Sequence, residues 1–222
     1  SVVPALTVSK TDLDTGLATE IGAHKNFQLI INLPEGIING VVVNDQLNVT
    51  GISYILSNNT DFDITYTFNN ITTINGQPPS ETAFIAFPAD ATADNAIWNI
   101  GTVVTETEDD TTGVPSIAPS ITINYFARIN NDINTNSGTD LQNNVSLDYS
   151  HGETANTVTL TDNTTLITAT ESVLSVTKTA TRISASPTTA GDTIEHVITV
   201  DNGGNATAYD LNIVDTLAAK FL

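Results

Sequence analysis

Leu141-Gln142-Asn143-Asn144-Val145-Ser146-Leu147-Asp148-Tyr149 alternates apolar and polar side chains over nine positions, with Asn143 the one polar residue on the apolar parity. A period of two is the pattern of a half-buried β-strand, and it is incompatible with the 3.6-residue stripe of a helix. The same alternation recurs in Leu6-Thr7-Val8-Ser9-Lys10 and in Val41 to Leu47. Further strand candidates are 26–33, 51–57, 64–68, 83–87, 96–104, 120–129 and 156–160. Between them stand turn formers: Leu33-Pro-Glu-Gly36, Asn-Gly at 39–40 and 75–76, Pro78-Pro79 and Asn136-Ser-Gly138. Many short strands with regular turn signals and no helical stripe predict an all-β fold, an immunoglobulin-like, Greek-key β-sandwich.

Composition agrees. Thr, Asn and Ser make up 75 of the 222 residues, and 40% of the chain is hydrophobic, enough for a real core. Six Lys+Arg stand against 25 Asp+Glu, a net charge of −19. So few cations cannot neutralise a row of phosphates, which excludes nucleic-acid binding and disfavours an anionic membrane surface. No Cys is present, so disulfides and thiolate chemistry are excluded. The longest apolar stretch, around 29–43, is interrupted by Asn, Pro, Glu and Gly and falls short of the roughly 20 apolar residues of a spanning helix. With Ser1 at its start and no leader pattern, the sequence reads as a processed product or an excerpt of a longer chain.

The chain repeats itself. Ala5-Leu-Thr-Val-Ser-Lys10-Thr11 returns as Val173-Leu-Ser-Val-Thr-Lys178-Thr179, Gly22 as Gly191, Phe27–Leu33 as Ile194–Val200, and Val41–Leu47 as Leu211–Leu217. The offsets are 168, 169, 167 and 170. Residues 1–170 are therefore expected to form one sandwich, and 172–222 the incomplete N-terminal part of the next homologous repeat. Three strands' worth of chain cannot close a sandwich alone, so this second piece is expected to need completion, by further chain or by strand exchange with a neighbouring copy.

This order of segments (Leu-x-Val-x-Lys-Thr, a glycine, an amphipathic strand, then Val-x-Asp-x-Leu) resembles the repeat domains of long bacterial and archaeal surface proteins. It is similar in particular to fimbrial isopeptide-formation domains. Trp98-Asn-Ile-Gly101, Ile121–Arg128 and Leu141–Leu147 resemble the closing strands of that family. The resemblance covers most of 5–150 and restarts at 173; between about 57 and 95 the chain is longer and richer in loops. It implies an extracellular, cell-surface location and neighbouring copies of the same domain as partners.

Parity places Lys10, Asp45 and Asn143 on inward faces among apolar neighbours, and Lys178 and Asp215 occupy the matching positions of the second copy. Lone buried charges cost several kcal/mol, so these groups should meet one another. Two states are open to such a trio: an unreacted Lys10–Asp45 ion pair with Asn143 as a hydrogen-bond partner, or a covalent Lys–Asn amide. Burial lowers a lysine pKa and frees its amine as a nucleophile, a carboxamide is an electrophile, and a buried carboxyl can relay protons. The resemblance assigns the crosslink to Lys10 and Asn143 and the catalytic part to Asp45.

The remaining features are weaker. Asp12-Leu-Asp14-Thr-Gly16 and the cluster with Asp61 and Asp63 have the oxygen-rich spacing of calcium loops, and solvated acidic turns read the same way; no cofactor is required, and calcium is the one these loops could take. Six Asn-x-Ser/Thr sites are what chance gives in a chain this rich in Asn, Ser and Thr. No metalloprotease, serine-hydrolase or phosphate-loop motif occurs, so an enzyme with external substrates is not expected. The expected function is structural: one repeat of a stalk, adhesin shaft or filament, giving length and mechanical strength. The alternative is an extracellular binding module whose 57–95 region contacts a glycan, ice or a protein.

Overall fold

The structure is a computed structural model that describes residues 6–14, 19–47, 52–54, 64–80, 95–105, 118–129, 137–151, 157–183, 191–208 and 210–217. The chain divides into two compact units, residues 1–169 and 170–222. The described residues of the first, up to its boundary with the second, form the strands β1 (Thr7–Asp12), β2 (Thr19–Glu20), β3 (His24–Asn32), β4 (Ile37–Gln46), β5 (Ile52–Tyr54), β6 (Thr65–Asn69), β7 (Ile71–Ile74), β8 (Asn95–Thr105), β9 (Ser120–Ile129), β10 (Asp140–Leu141), β11 (Asn144–His151), β12 (Val158–Asn163) and β13 (Ile167–Thr170). The fold is all-β, and the described residues contain no helix.

One sheet runs β1-β3-β9-β5, with β6 also on β9; the other runs β12-β11-β4-β8-β7, and a small sheet joins β10, β13 and β2. The chain crosses from β3 to β4, returns at β9 beside β3 and crosses again to lie beside β4 at β11. The chain thus crosses between the two sheets several times, as in an immunoglobulin-like Greek key. The alternation that predicts the strands also fills the core. Phe27, Leu29 and Ile31 of β3 and Ile121, Ile123 and Tyr125 of β9 face Val41 and Val43 of β4 and Leu147 of β11, all essentially without solvent exposure.

One local turn reading holds in the fold and two readings are corrected. Asn75-Gly76 is a two-residue hairpin turn, with both residues at positive φ and Ile74 and Gln77 exchanging backbone bonds of 2.8 and 3.0 Å. Asn39-Gly40, by contrast, is no turn: it lies inside β4 as a bulge, opposite a second irregularity at Gly101 in β8. The Asn75 carboxamide locks that place, donating to Ile100 O and accepting from Thr102 N–H, both at 2.9 Å. Finally, 141–149 is not one strand. It breaks at Gln142–Asn143, where the chain leaves the small sheet through β10 and enters the large one through β11. The strand candidate at 83–87 lies outside the described residues.

The second unit contains β14 (Leu174–Arg182) paired antiparallel with β15 (Ile194–Asn202). It reproduces the β1–β3 hairpin. Lys10 lies opposite Leu29 and Lys178 opposite Ile198, which sets the repeat offset of this strand at 169. The alignment from sequence put it at 167. His196 therefore matches Phe27, and the parity of inward positions is unchanged.

Candidate functional site

Lys10, Asp45 and Asn143 meet in the core of the first unit, and their residue exposures are 5%, 0% and 0%. Lys10 comes from β1, the edge of one sheet, while Asp45 comes from β4 in the middle of the other. Asp45 pairs with Val145 of β11 and with Ala96 of β8, so Asn143, two residues before Val145, lies on the diagonal from it. The site therefore bridges the two sheets.

The Lys10 Nζ forms an ion pair with Asp45 Oδ1. It also donates to the Tyr125 hydroxyl at 2.5 Å, and that hydroxyl donates to Asp45 Oδ2. Asn143 Nδ2 donates to the same phenol oxygen at 2.8 Å. Tyr125 Oη thus touches all three partners. A phenol has one donor and two acceptor sites, and these contacts use all of them. Lys10 Nζ lies 5.1 Å from the Tyr125 ring centroid and 5.5 Å from that of Phe27, so aromatic faces surround it.

Burial pushes the Lys10 amine down from 10.5 to about 8, because desolvation outweighs the opposing attraction of Asp45. The amine is thus within reach of its neutral, nucleophilic form near physiological pH. Asn143 is held at its sheet switch by Thr164: its N–H donates to Thr164 Oγ1 at 3.1 Å and its carbonyl accepts Thr164 N–H at 2.9 Å. Its side-chain Oδ1 is buried and, among the described residues, accepts no hydrogen bond. The Lys10 backbone N–H is held from the other side by Asp162 Oδ2 of β12 at 2.6 Å.

Tyr125, Thr164 and Asp162 were not singled out in the sequence. Tyr125 had a readable mark, a hydroxyl on the inward parity of Ile121 and Ile123, but a core tyrosine looks the same. Thr164 and Asp162 carry no local mark.

Asp12 and Asp14 are engaged within the chain. Asp12 Oδ2 pairs with the buried Lys25 at 2.8 Å, and Asp12 Oδ1 accepts Asp14 N–H at 2.9 Å. Asp14 Oδ2 accepts Asn26 N–H at 2.7 Å. Asp61 and Asp63 lie outside the described residues, among which no group of three or more His, Cys, Asp or Glu is placed to hold a metal ion. In the second unit Lys178 Nζ pairs with Asp215 Oδ1 at 2.5 Å, with side chains 37% and 33% exposed.

No protein-family model and no curated protein matches the chain. Among solved structures it is similar to the major pilin subunit BcpA of Bacillus cereus (10% identity, TM-score 0.47, 90% of this chain and 56% of that one). It is also similar to the 35 kDa C-terminal fragment of the major pilin GBS80 of Streptococcus agalactiae (11%, 0.47, 78% and 58%). A third is the pilus backbone RrgB of Streptococcus pneumoniae (12%, 0.39, 76% and 35%). The chain spans about half the length of the BcpA and GBS80 chains it matches.

Proposed function

We propose that residues 1–170 are one structural repeat of an extracellular stalk, adhesin shaft or filament, closed by a self-formed Lys10–Asn143 amide bond. The observation that carries this reading is the buried cluster itself: a lysine with a lowered pKa, a carboxyl and a carboxamide gathered on one phenol oxygen across both sheets. A mere ion pair in the core would return little stability over apolar packing.

The chemistry balances without any external reagent. Lys10 Nζ passes a proton to Asp45 and becomes a neutral amine. Its lone pair attacks Asn143 Cγ and forms the Nζ–Cγ bond. Asp45 hands that first proton to Nδ2, the carbonyl reforms and the Cγ–Nδ2 bond breaks; Asp45 then takes the second Nζ proton and passes it to the departing ammonia, which leaves as ammonium. Asp45 ends as it began, so this is a single-turnover self-modification and not turnover of a substrate.

The mechanical consequence follows from topology. β1 is the first strand, and Asn143 opens the last long strand pair, β11–β12. Tension entering along β1 and leaving after β12 passes through the bond rather than through the sheets between. The second unit fits the same reading as the start of another copy. It repeats the hairpin and the Lys–Asp pair, while Leu174, Val176, Leu211 and Ile213 are 41%, 65%, 53% and 58% exposed. Their counterparts in the first unit, Leu6, Val8, Val41 and Val43, pack into its core. Neighbouring copies of the domain, in tandem or through strand exchange at 172–222, are the proposed partners.

Intact mass decides the central point. The folded wild type should weigh one ammonia less than its sequence, and Lys10→Ala and Asp45→Ala should each weigh what their sequences require. A wild type of full sequence mass would leave the ion pair as the whole function of the cluster.

A further inference from the structure

The Tyr125 hydroxyl stands out among the groups of the core because it bonds the nucleophile, the carboxyl and the leaving nitrogen at once. We propose that Tyr125 is a catalytic residue of the crosslinking reaction, carrying the proton from Asp45 to Asn143 Nδ2. The inference rests on the Lys10–Asn143 bond proposed above and adds the route by which the leaving group is protonated.

A carboxamide nitrogen is a poor leaving group until it is protonated, and here its polar contact is the phenol oxygen at 2.8 Å. Before reaction, Nδ2 donates to that oxygen. Once the amine has added to Cγ, Nδ2 is no longer conjugated with the carbonyl and its lone pair becomes basic. The contact can then reverse: the phenol donates its proton to Nδ2 and takes one from Asp45 Oδ2, to which it is already bonded. Asp45 in turn takes the proton that Nζ must lose, through its other oxygen, Oδ1. Counted from the ion pair, two protons leave Nζ in turn and reach the leaving nitrogen by way of the Asp45 carboxyl and Oη; the Cγ–Nδ2 bond breaks, the nitrogen departs as ammonium, and both Asp45 and Tyr125 are restored.

The neighbourhood fixes the phenol for this task. Its ring lies 5.7 Å from Phe27 and 5.9 Å from Trp98, centroid to centroid, and is 1% exposed. Trp98 is held in turn by a bond of 3.0 Å from its Nε1 to the Tyr66 hydroxyl. The ring cannot swing away, and water does not compete for Oη.

The test follows formation of the bond in time. The full chain is made by cell-free translation, quenched in denaturant at intervals and weighed intact. Tyr125→Phe keeps the ring and its packing but removes the relay. Its loss of ammonia should be about 100-fold slower than in the wild type, the scale of a general acid–base contribution. Site-specific 3-fluorotyrosine at position 125 keeps the shape and makes the phenol more acidic; it should change the wild-type rate severalfold, which a purely packing role would not. If Tyr125→Phe does not fold, the fluorotyrosine arm decides alone. Crosslinking of Tyr125→Phe at the wild-type rate, or a fluorotyrosine rate equal to that of tyrosine, overturns the relay and leaves the crosslink intact. A wild type that never loses ammonia overturns the crosslink itself, a result distinct from either.

Discussion

Asn143→Ala separates the contribution of the crosslink from that of ordinary packing. Asn143 makes its backbone bonds to Thr164 whatever its side chain. Truncation removes one hydrogen bond to Tyr125, a loss of about 1 kcal/mol, and deletes the buried, unpartnered Oδ1, a relief of about 1–3 kcal/mol. These local effects nearly cancel. What remains is the proposed covalent link. Joining positions about 130 residues apart restricts the unfolded chain by about 5 kcal/mol in the loop-entropy treatment used for disulfides. For a unit of residues 1–169, unfolding entropy scaled by length turns that into a fall of about 14 °C in Tm. Differential scanning calorimetry of wild type and variant, each weighed intact beforehand, measures it. A wild type lacking one ammonia whose Tm exceeds that of Asn143→Ala by no more than about 3 °C would refute the entropic argument. The bond would then have some role other than stability.

The same variant should reveal the Lys10 amine by its pH dependence. With the folded pKa at about 8, below the 10.5 of the unfolded chain, the unfolded state holds more protons between those values, so stability rises with pH across that window by about 3 kcal/mol. With the proposed crosslink in the wild type Lys10 would be an amide and would not titrate, so the difference between the two proteins in denaturant midpoint at pH 7.5 and 10.5 isolates the effect; parallel pH profiles would count against it. Gly101→Ala should cost about 3 kcal/mol, because φ is +86° and a Cβ there would sit 2.3 Å from Asn75 Oδ1. Gly76→Ala, at φ +77° with open space around it, should cost about 1 kcal/mol, and equal losses by urea denaturation would contradict the clash. In limited proteolysis the first cut is expected between 168 and 173, at the junction of the two units; a stable product ending elsewhere would place the boundary differently.

The strand pattern and the inward direction of Lys10, Asp45 and Asn143 were legible in the sequence because a period of two is a local property of an extended chain. So was the pairing of Lys178 with Asp215, which follows from the repeat. Which groups meet is a different matter. Tyr125 reaches the cluster because β9 lies two strands from β1 in one sheet while β4 faces them from the other, and no local window carries that arrangement. Asn-Gly at 39–40 reads like Asn-Gly at 75–76, but only the latter joins two strands; the former is pinned between β8 and β11 and becomes a bulge. The carboxylates of Asp12 and Asp14 have calcium-loop spacing in sequence, and the fold brings Lys25 and the Asn26 amide of β3 against them. Parity and repetition can be read along the chain because they depend on sequence neighbours. Partners cannot, because a partner is set by strand order and register, and these are settled by the burial of the whole apolar face at once.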